Sequence, residues 1–473
     1  MCEAREAAGR AALPFSAARQ CDSWCGHAQA SISLERGRLR VALRGSAPMM
    51  GGASAWVAAA SVLLLASALL EPVAVHSPAP PAAVAFRFIS RLAVPKPNTT
   101  EDRGFHTVLA DNGSGVVFGC GIDGQLVAAD FASPREPVLR DVVSGESMVQ
   151  ARTLLWDRQH RLVVANQDFL FYQRPAASTA FELVANVSTA LSGRPSRNPH
   201  DSLGGDNGIN GATIVTDMEG TELLVGAGMP GLLVVAELGP TPRSLGSCNM
   251  TAQPGPGLVK AMDIDQYRPA VDLAPLLVVV SAEDRNLLAI MQLTTSTNNT
   301  TFTTPEEWIA TGTLPTSVLS TVGWDASGRG CNRVRVHHDS RRAVFSCFGG
   351  GHGHASVGFV DLTVPAKPRL MAAVPFVTEQ PTGLLVVGNV VFVAGGRDLM
   401  AFDMAAKVAP TEPAPVLATC GTACAGVAHD PGQNLHSMSY RLQNGRHYIF
   451  MSAQIDNAIG AVEILDPKVI ARL

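Results

Sequence analysis

The chain has 473 residues, of which 47% are apolar, 16% charged and 5% aromatic; it can bury a large core and is too poor in charge to be disordered throughout. A net charge of −4 offers no basic surface to a phosphate backbone, so nucleic acid is not an expected partner. The 44 glycines and 31 prolines suit a turn-dense β protein.

In chain order, residues 1–48 show no apolar periodicity and hold seven Arg and no Lys. Met49 and Met50 stand just ahead of Val57–Leu70, an uncharged apolar run of 14 residues. That is short for a membrane span and right for the h-region of a secretory signal. We read residues 1–48 as a gene-model extension or disordered leader, 49–77 as a signal peptide with its h-region at 57–70, and 84–473 as the folded domain. The alternative is a genuine Arg-rich leader, which would make the apolar run a signal anchor at a membrane; the mature chain after it is expected to have no span. Sequons at Asn98, Asn112, Asn186, Asn249, Asn298 and Asn299 predict a secreted glycoprotein. Of nine cysteines, six follow the signal: Cys120, Cys248, Cys331, Cys347, Cys420 and Cys424. Cys331 and Cys347 flank one predicted hairpin and are placed to face each other across it, and Cys420 and Cys424 are placed to close a small loop. Buried free thiols are the other reading.

The stretch from Gly115 to Val143 sets a pattern. Val116-Val117-Phe118 is followed by the turn Gly121-Ile122-Asp123-Gly124 and by Leu126–Ala129, which closes on Asp130. Then come Pro134-Arg135-Glu136-Pro137 and Val138–Val143. Short β-rich runs broken by Gly, Asp and Pro predict consecutive antiparallel strands. The pattern returns with most-apolar strands opening at Val116, Leu162, Leu223, Leu276, Ala343, Val390 and Tyr448, at spacings from 46 to 67 residues. Ahead of each lies an amphipathic strand, and after each a strand ending in an acid, as at Asp130, Asp361, Asp403 and Asp466. Four antiparallel strands per unit and seven units predict an all-β fold, a seven-bladed β-propeller. Ala83–Val94 resembles an outer strand with no unit of its own, so it should complete the seventh blade and close the ring. Six blades with one inserted repeat is the rival count.

Gly124 to Asp130 through Pro134-x-x-Pro137, and Gly358-Phe359-Val360-Asp361 through Pro365-x-x-Pro368, resemble the repeat of the LVIVD β-propellers. That resemblance implies the fold and no particular chemistry.

In a propeller the starts of the innermost strands surround one mouth of the central channel. The residues predicted there, one per unit, are His106, Arg152, Asn210, Lys260, Asn332, Thr382 and His436, a polar and partly basic set fit to bind a ligand. Ring closure makes His106 and His436 neighbours, where they could hold a divalent metal or act as acid and base. Asp206-Asn207-Gly208-Ile209-Asn210-Gly211 is reminiscent of the Asn-Gly segments of calcium-dependent lactonase propellers, although turn chemistry alone explains such pairs. His337-His338-Asp339 is a weaker metal candidate because neighbours on a strand point to opposite faces. Gly349–His354, which could bind copper or zinc, is weaker because no partner of defined spacing accompanies it; a flexible loop is its other reading. No Gly-x-Ser-x-Gly or His-Glu-x-x-His occurs.

Two functions are carried forward. The first is a secreted, monomeric binding module for a protein or glycan. The second is a metal-dependent hydrolase or oxidoreductase at the channel mouth. Whether the chain is an enzyme at all the sequence leaves open.

Overall fold

The repeats become seven four-stranded antiparallel sheets in the computed structural model. It describes residues 29–35, 38–44 and most of 84–473; the larger stretches left out there are 97–103, 174–179, 193–207, 250–259, 294–315, 324–330, 348–355, 376–380 and 429–434. The predicted signal peptide, Asn98, Asn298, Asn299 and the Gly349–His354 run lie outside the described residues. Residues 1–82 and 83–473 form separate units. In the first, Gln29–Glu35 pairs with Arg38–Arg44 in an antiparallel hairpin that the sequence reading did not foresee.

The inner strands of the seven blades are Phe105–Ala110, Thr153–Trp156, Ile209–Thr216, Lys260–Tyr267, Cys331–His337, Pro381–Val387 and Leu435–Gln443. Each neighbours the next, and the seventh neighbours the first, so the ring is closed. Seven blades, not six, are present.

Why the strand runs are so uniformly apolar follows from packing. A blade is covered on both faces, so both phases of a period-2 strand are buried. In Val116–Gly121, Val116, Phe118 and Cys120 enter the core shared with the second blade, while Val117 enters the core shared with the seventh. The buried apolar residues fall into seven clusters, one at each seam between blades. The recurrent acid after the third strand also has a local cause. Oδ1 of Asp130, Asp361, Asp403 and Asp466 accepts the backbone N–H two residues on, from Ala132, Thr363, Ala405 and Lys468, at 2.7–2.9 Å. Each carboxylate closes the turn that leaves the strand.

Phe86–Ala93 is the fourth strand of the seventh blade, paired with Ala458–Ile464 from Phe86↔Ile464 to Ala93↔Ala458. Arg87 Nε donates to Glu463 Oε2 at 3.1 Å, and Arg91 Nε to Val427 O at 3.0 Å. The closing strand is thus tied by side chains as well as by its ladder. Cys331 and Cys347 are register partners and form a disulfide; Cys420 and Cys424 form another. Cys120 is a buried free thiol, pushed well up in pKa by desolvation and then by the nearby Asp123 carboxylate. Among the described residues no helix is long and apolar enough to cross a membrane.

Candidate functional site

The channel mouth is built by a repeated irregularity. In six of the inner strands the register slips by one after the first or second residue: at Phe105/Thr107, Ile209/Gly211, Ala261/Asp263, Cys331/Arg333, Pro381/Gly383 and Leu435/Ser437. Each slip is a β-bulge that leaves one residue unmatched and re-aims its side chain. The unmatched residues are His106, Asn210, Met262, Asn332, Thr382 and His436. In the second blade Arg152, just ahead of its strand, donates its N–H to Ala165 O at 3.1 Å and holds the equivalent place. Six of the seven residues named from the sequence occupy these bulge or equivalent positions. The exception is Lys260, which opens the fourth inner strand opposite Ala282; the bulge lies two residues on, at Met262. Asn210 Nδ2 contacts Met262 Sδ at 3.5 Å, which puts Met262 in the ring. The Asn210-Gly211 pair is part of a bulge rather than a turn. Gly211 is required there because an added Cβ would lie 2.0 Å from Asp263 Oδ1.

These side chains engage one another. His106 Nδ1 lies 3.1 Å from Arg152 O, and His436 Nδ1 lies 3.2 Å from His106 O. Arg152 Nη1 donates to Asn210 Oδ1 and Thr382 Oγ1 to Leu435 O. The residue that links them is Arg333, beside the fifth bulge. Its Nε donates to Thr382 O at 3.2 Å, Nη1 to Asn210 O at 3.1 Å, and Nη2 stands 3.3 Å from His106 Nδ1. One guanidinium thus reaches the sixth, third and first blades across the channel.

The mouth sets the Arg152 and Arg333 guanidiniums beside the His106 and His436 imidazoles, all four buried. The two imidazole rings have centroids 3.8 Å apart. Burial holds the His106 pKa well below the ordinary imidazole value, and His436, Arg333 and Arg152 push it further down. Desolvation lowers Arg333 to about 10, with Asp263 pulling the other way. The Asp263 carboxylate is itself committed: Oδ2 accepts Val334 N at 3.1 Å and Arg335 Nη1 at 2.7 Å. All three contacts made by Arg333 are to uncharged groups. His106 Nδ1 faces a conflict, because a proton there serves Arg152 O whereas a lone pair serves Arg333; one nitrogen cannot do both. Among the described residues no three His, Cys, Asp or Glu side chains gather as a metal site.

A second concavity lies in the seam between the first and second blades. Its volume is about 570 Å³, and its walls include Phe118, Trp156, Tyr172 and Phe181. Phe118 meets Trp156 and Phe181 edge to face, each at 5.3 Å between centroids. The turns at Asp111–Ser114 and Asp157–His160 bring polar groups to the same cavity, including Asn112 and His160. Sequence reasoning missed this site, although the aromatic side chains themselves were its signal. The His337-His338-Asp339 motif is structural: His337 places Nδ1 2.8 Å from Ser340 Oγ and Nε2 3.0 Å from Gly388 O, and His338 stacks on Tyr267.

Fold and mouth together define a seven-bladed β-propeller with a bulge-lined channel. No protein-family model and no curated protein matches the chain. Among solved structures it is similar to the crystal structure of Sqt1 from Saccharomyces cerevisiae, with a TM-score of 0.49 and 8% sequence identity, covering 81% of this chain and 100% of that one.

Proposed function

We propose that this propeller, with its LVIVD-like repeats, is a secreted, monomeric binding module that takes an acidic group of a protein or glycan ligand at the channel mouth. One observation carries the reading. Arg152, Arg333, His106 and His436 converge from four blades, each with 5–6% of its surface accessible, and the contacts of Arg333 go to uncharged partners. The Arg152 and Arg333 guanidiniums, brought together away from water, repel, and an anionic oxygen between them relieves that repulsion. It would also end the conflict at His106 Nδ1, leaving the proton for Arg152 O. The narrow exposure suits a slender terminal carboxylate.

The test is binding of the purified protein to immobilised glycans, sialylated, uronic-acid-bearing and neutral, and to acidic and neutral peptides. Acidic members should be retained, and Arg333→Gln should weaken retention at least about tenfold, the loss of one charge-assisted hydrogen bond. Equal retention of neutral and acidic members, or none of either, sinks the reading.

The close pairing of His106 and His436 favours the metal-dependent hydrolase or oxidoreductase as a second reading. A carbonyl at His436 Nδ1 fixes a proton there and leaves Nε2 as a lone pair, as a metal ligand requires. Two neighbouring guanidiniums oppose a divalent cation. Stoichiometric metal in the purified protein, lost on replacing both histidines, would support this reading.

A further inference from the structure

We propose that the cavity between the first and second blades is the seat of the chain's own glycan, attached at Asn112. The inference rests on passage through the secretory pathway, part of the function proposed above, and is independent of what binds at the mouth.

The argument starts from the turn. Asn112-Gly113-Ser114 is an acceptor sequence at an exposed turn between the first two strands of the first blade. Asp111 shapes that turn: Oδ1 accepts Gly113 N at 3.0 Å, and Oδ2 accepts the Ser114 hydroxyl. The turn is therefore held in place, and Asn112 is held with it at the cavity edge. The chemistry of the cavity matches what would be attached. A pyranose ring presents a face of C–H groups and a rim of hydroxyls, so it packs best on an aromatic face with polar groups around it. Here Trp156, Phe181 and Tyr172 supply the faces, and Ser114 and His160 stand among the polar groups. The volume, about 570 Å³, lies within the range of about 300–1,000 Å³ typical of small-ligand sites. Trp156 and Phe181 are only partly buried where they line it. A sugar tethered at the edge needs no search to find this surface, since attachment fixes its effective concentration.

Asn186 is the internal control. It is an exposed sequon residue in the outer strand Glu182–Val187 and does not line the cavity. The full chain would be produced in a secretory host, its glycopeptides mapped, and its N-glycans released enzymatically from the native and the denatured protein. Occupied Asn112 should release its glycan about tenfold more slowly than Asn186 in the native protein, equivalent to about 1.4 kcal/mol of protection, and at the same rate after denaturation. Trp156→Ala should remove that lag; Trp156→Leu, which keeps bulk without the aromatic face, should remove most of it if the alanine variant fails to fold. Asn186 occupied with Asn112 bare overturns the inference while leaving secretion intact, whereas all sequons bare overturns both. Release from native Asn112 as fast as from Asn186, or a lag that survives both Trp156 variants, overturns it as well.

Discussion

Two neighbouring seams of the ring are filled in opposite ways. Between the seventh and first blades, Phe131 meets Phe450 edge to face at 5.0 Å, and the Arg441 guanidinium lies 4.7 Å over the Phe450 ring. Arg441 also donates to Phe131 O at 2.7 Å and to Gln443 Oε1 at 2.5 Å. At the other end of that seam, Asn457 Nδ2 donates to Gln125 Oε1 at 3.3 Å and Gly104 N to Gln454 O at 2.9 Å. The seam between the first and second blades has as many aromatic rings, yet it leaves a cavity among them. The chain's two ends meet inside the seventh blade, where Phe86–Ala93 pairs with Ala458–Ile464, and the chain runs on from Phe86–Ala93 into the first blade, so both seams are crossed by the chain. What differs is how side chains fill them: one is closed by Phe131, Phe450 and Arg441, the other keeps a cavity among Phe118, Trp156, Tyr172 and Phe181.

The comparison breaks most severely if residues 84–94 are deleted. The seventh blade then loses its outer strand and Phe86, a fully buried anchor, and the loss should approach the whole stability of the fold, on the order of 5–15 kcal/mol. Loss of a cooperative transition by circular dichroism would confirm it; a transition unchanged from the full chain would refute the closure. Phe450→Ala should be next, at about 3–5 kcal/mol in denaturant unfolding, because it empties the sealed seam. Acid should then act on the mouth. His106 is held neutral when folded, and desolvation also lowers His337. In the unfolded chain both take up protons near their ordinary value of 6.5, so stability is full above that pH and falls as the pH drops toward the lowered folded values. His106→Gln should flatten the slope, as read from melting temperature against pH. The smallest effect is expected from Trp156→Ala, about 1 kcal/mol or less, since the partly buried ring already faces open space. A loss as large as that of Phe450→Ala would mean the two seams are not different in kind.

Strand alternation and turn residues made the repeat count, the closing strand and both disulfides legible in the sequence. The strand starts were less legible for one reason. A bulge interrupts the period-2 pattern, so a reading by alternation begins the inner strands at Thr107, Ala212, Gly383 or Ser437, after the residue that matters. His106, Asn210, Asn332, Thr382 and His436 were still found, as the last polar residues before the pattern resumes. Met262 was passed over for Lys260 because an apolar residue at a mouth carries no polarity signal. Arg333 was missed because it sits in phase with the strand, and only the closed ring shows which blades it reaches. The aromatic cavity draws its walls from positions 118, 156, 172 and 181, on separate segments that only the stacking of two blades brings together.

The bond between Arg87 and Glu463 spans 376 residues of sequence. At about 5–20 residues per second of synthesis, the earliest strand of the ring waits on the order of tens of seconds for its partner to be made. Through that interval Phe86–Ala93 is a bare edge with apolar side chains, open to pairing with any other unfinished copy. Assembly is therefore most vulnerable just before its final step, and a nascent chain halted short of residue 458 would remain an open arc with that edge exposed.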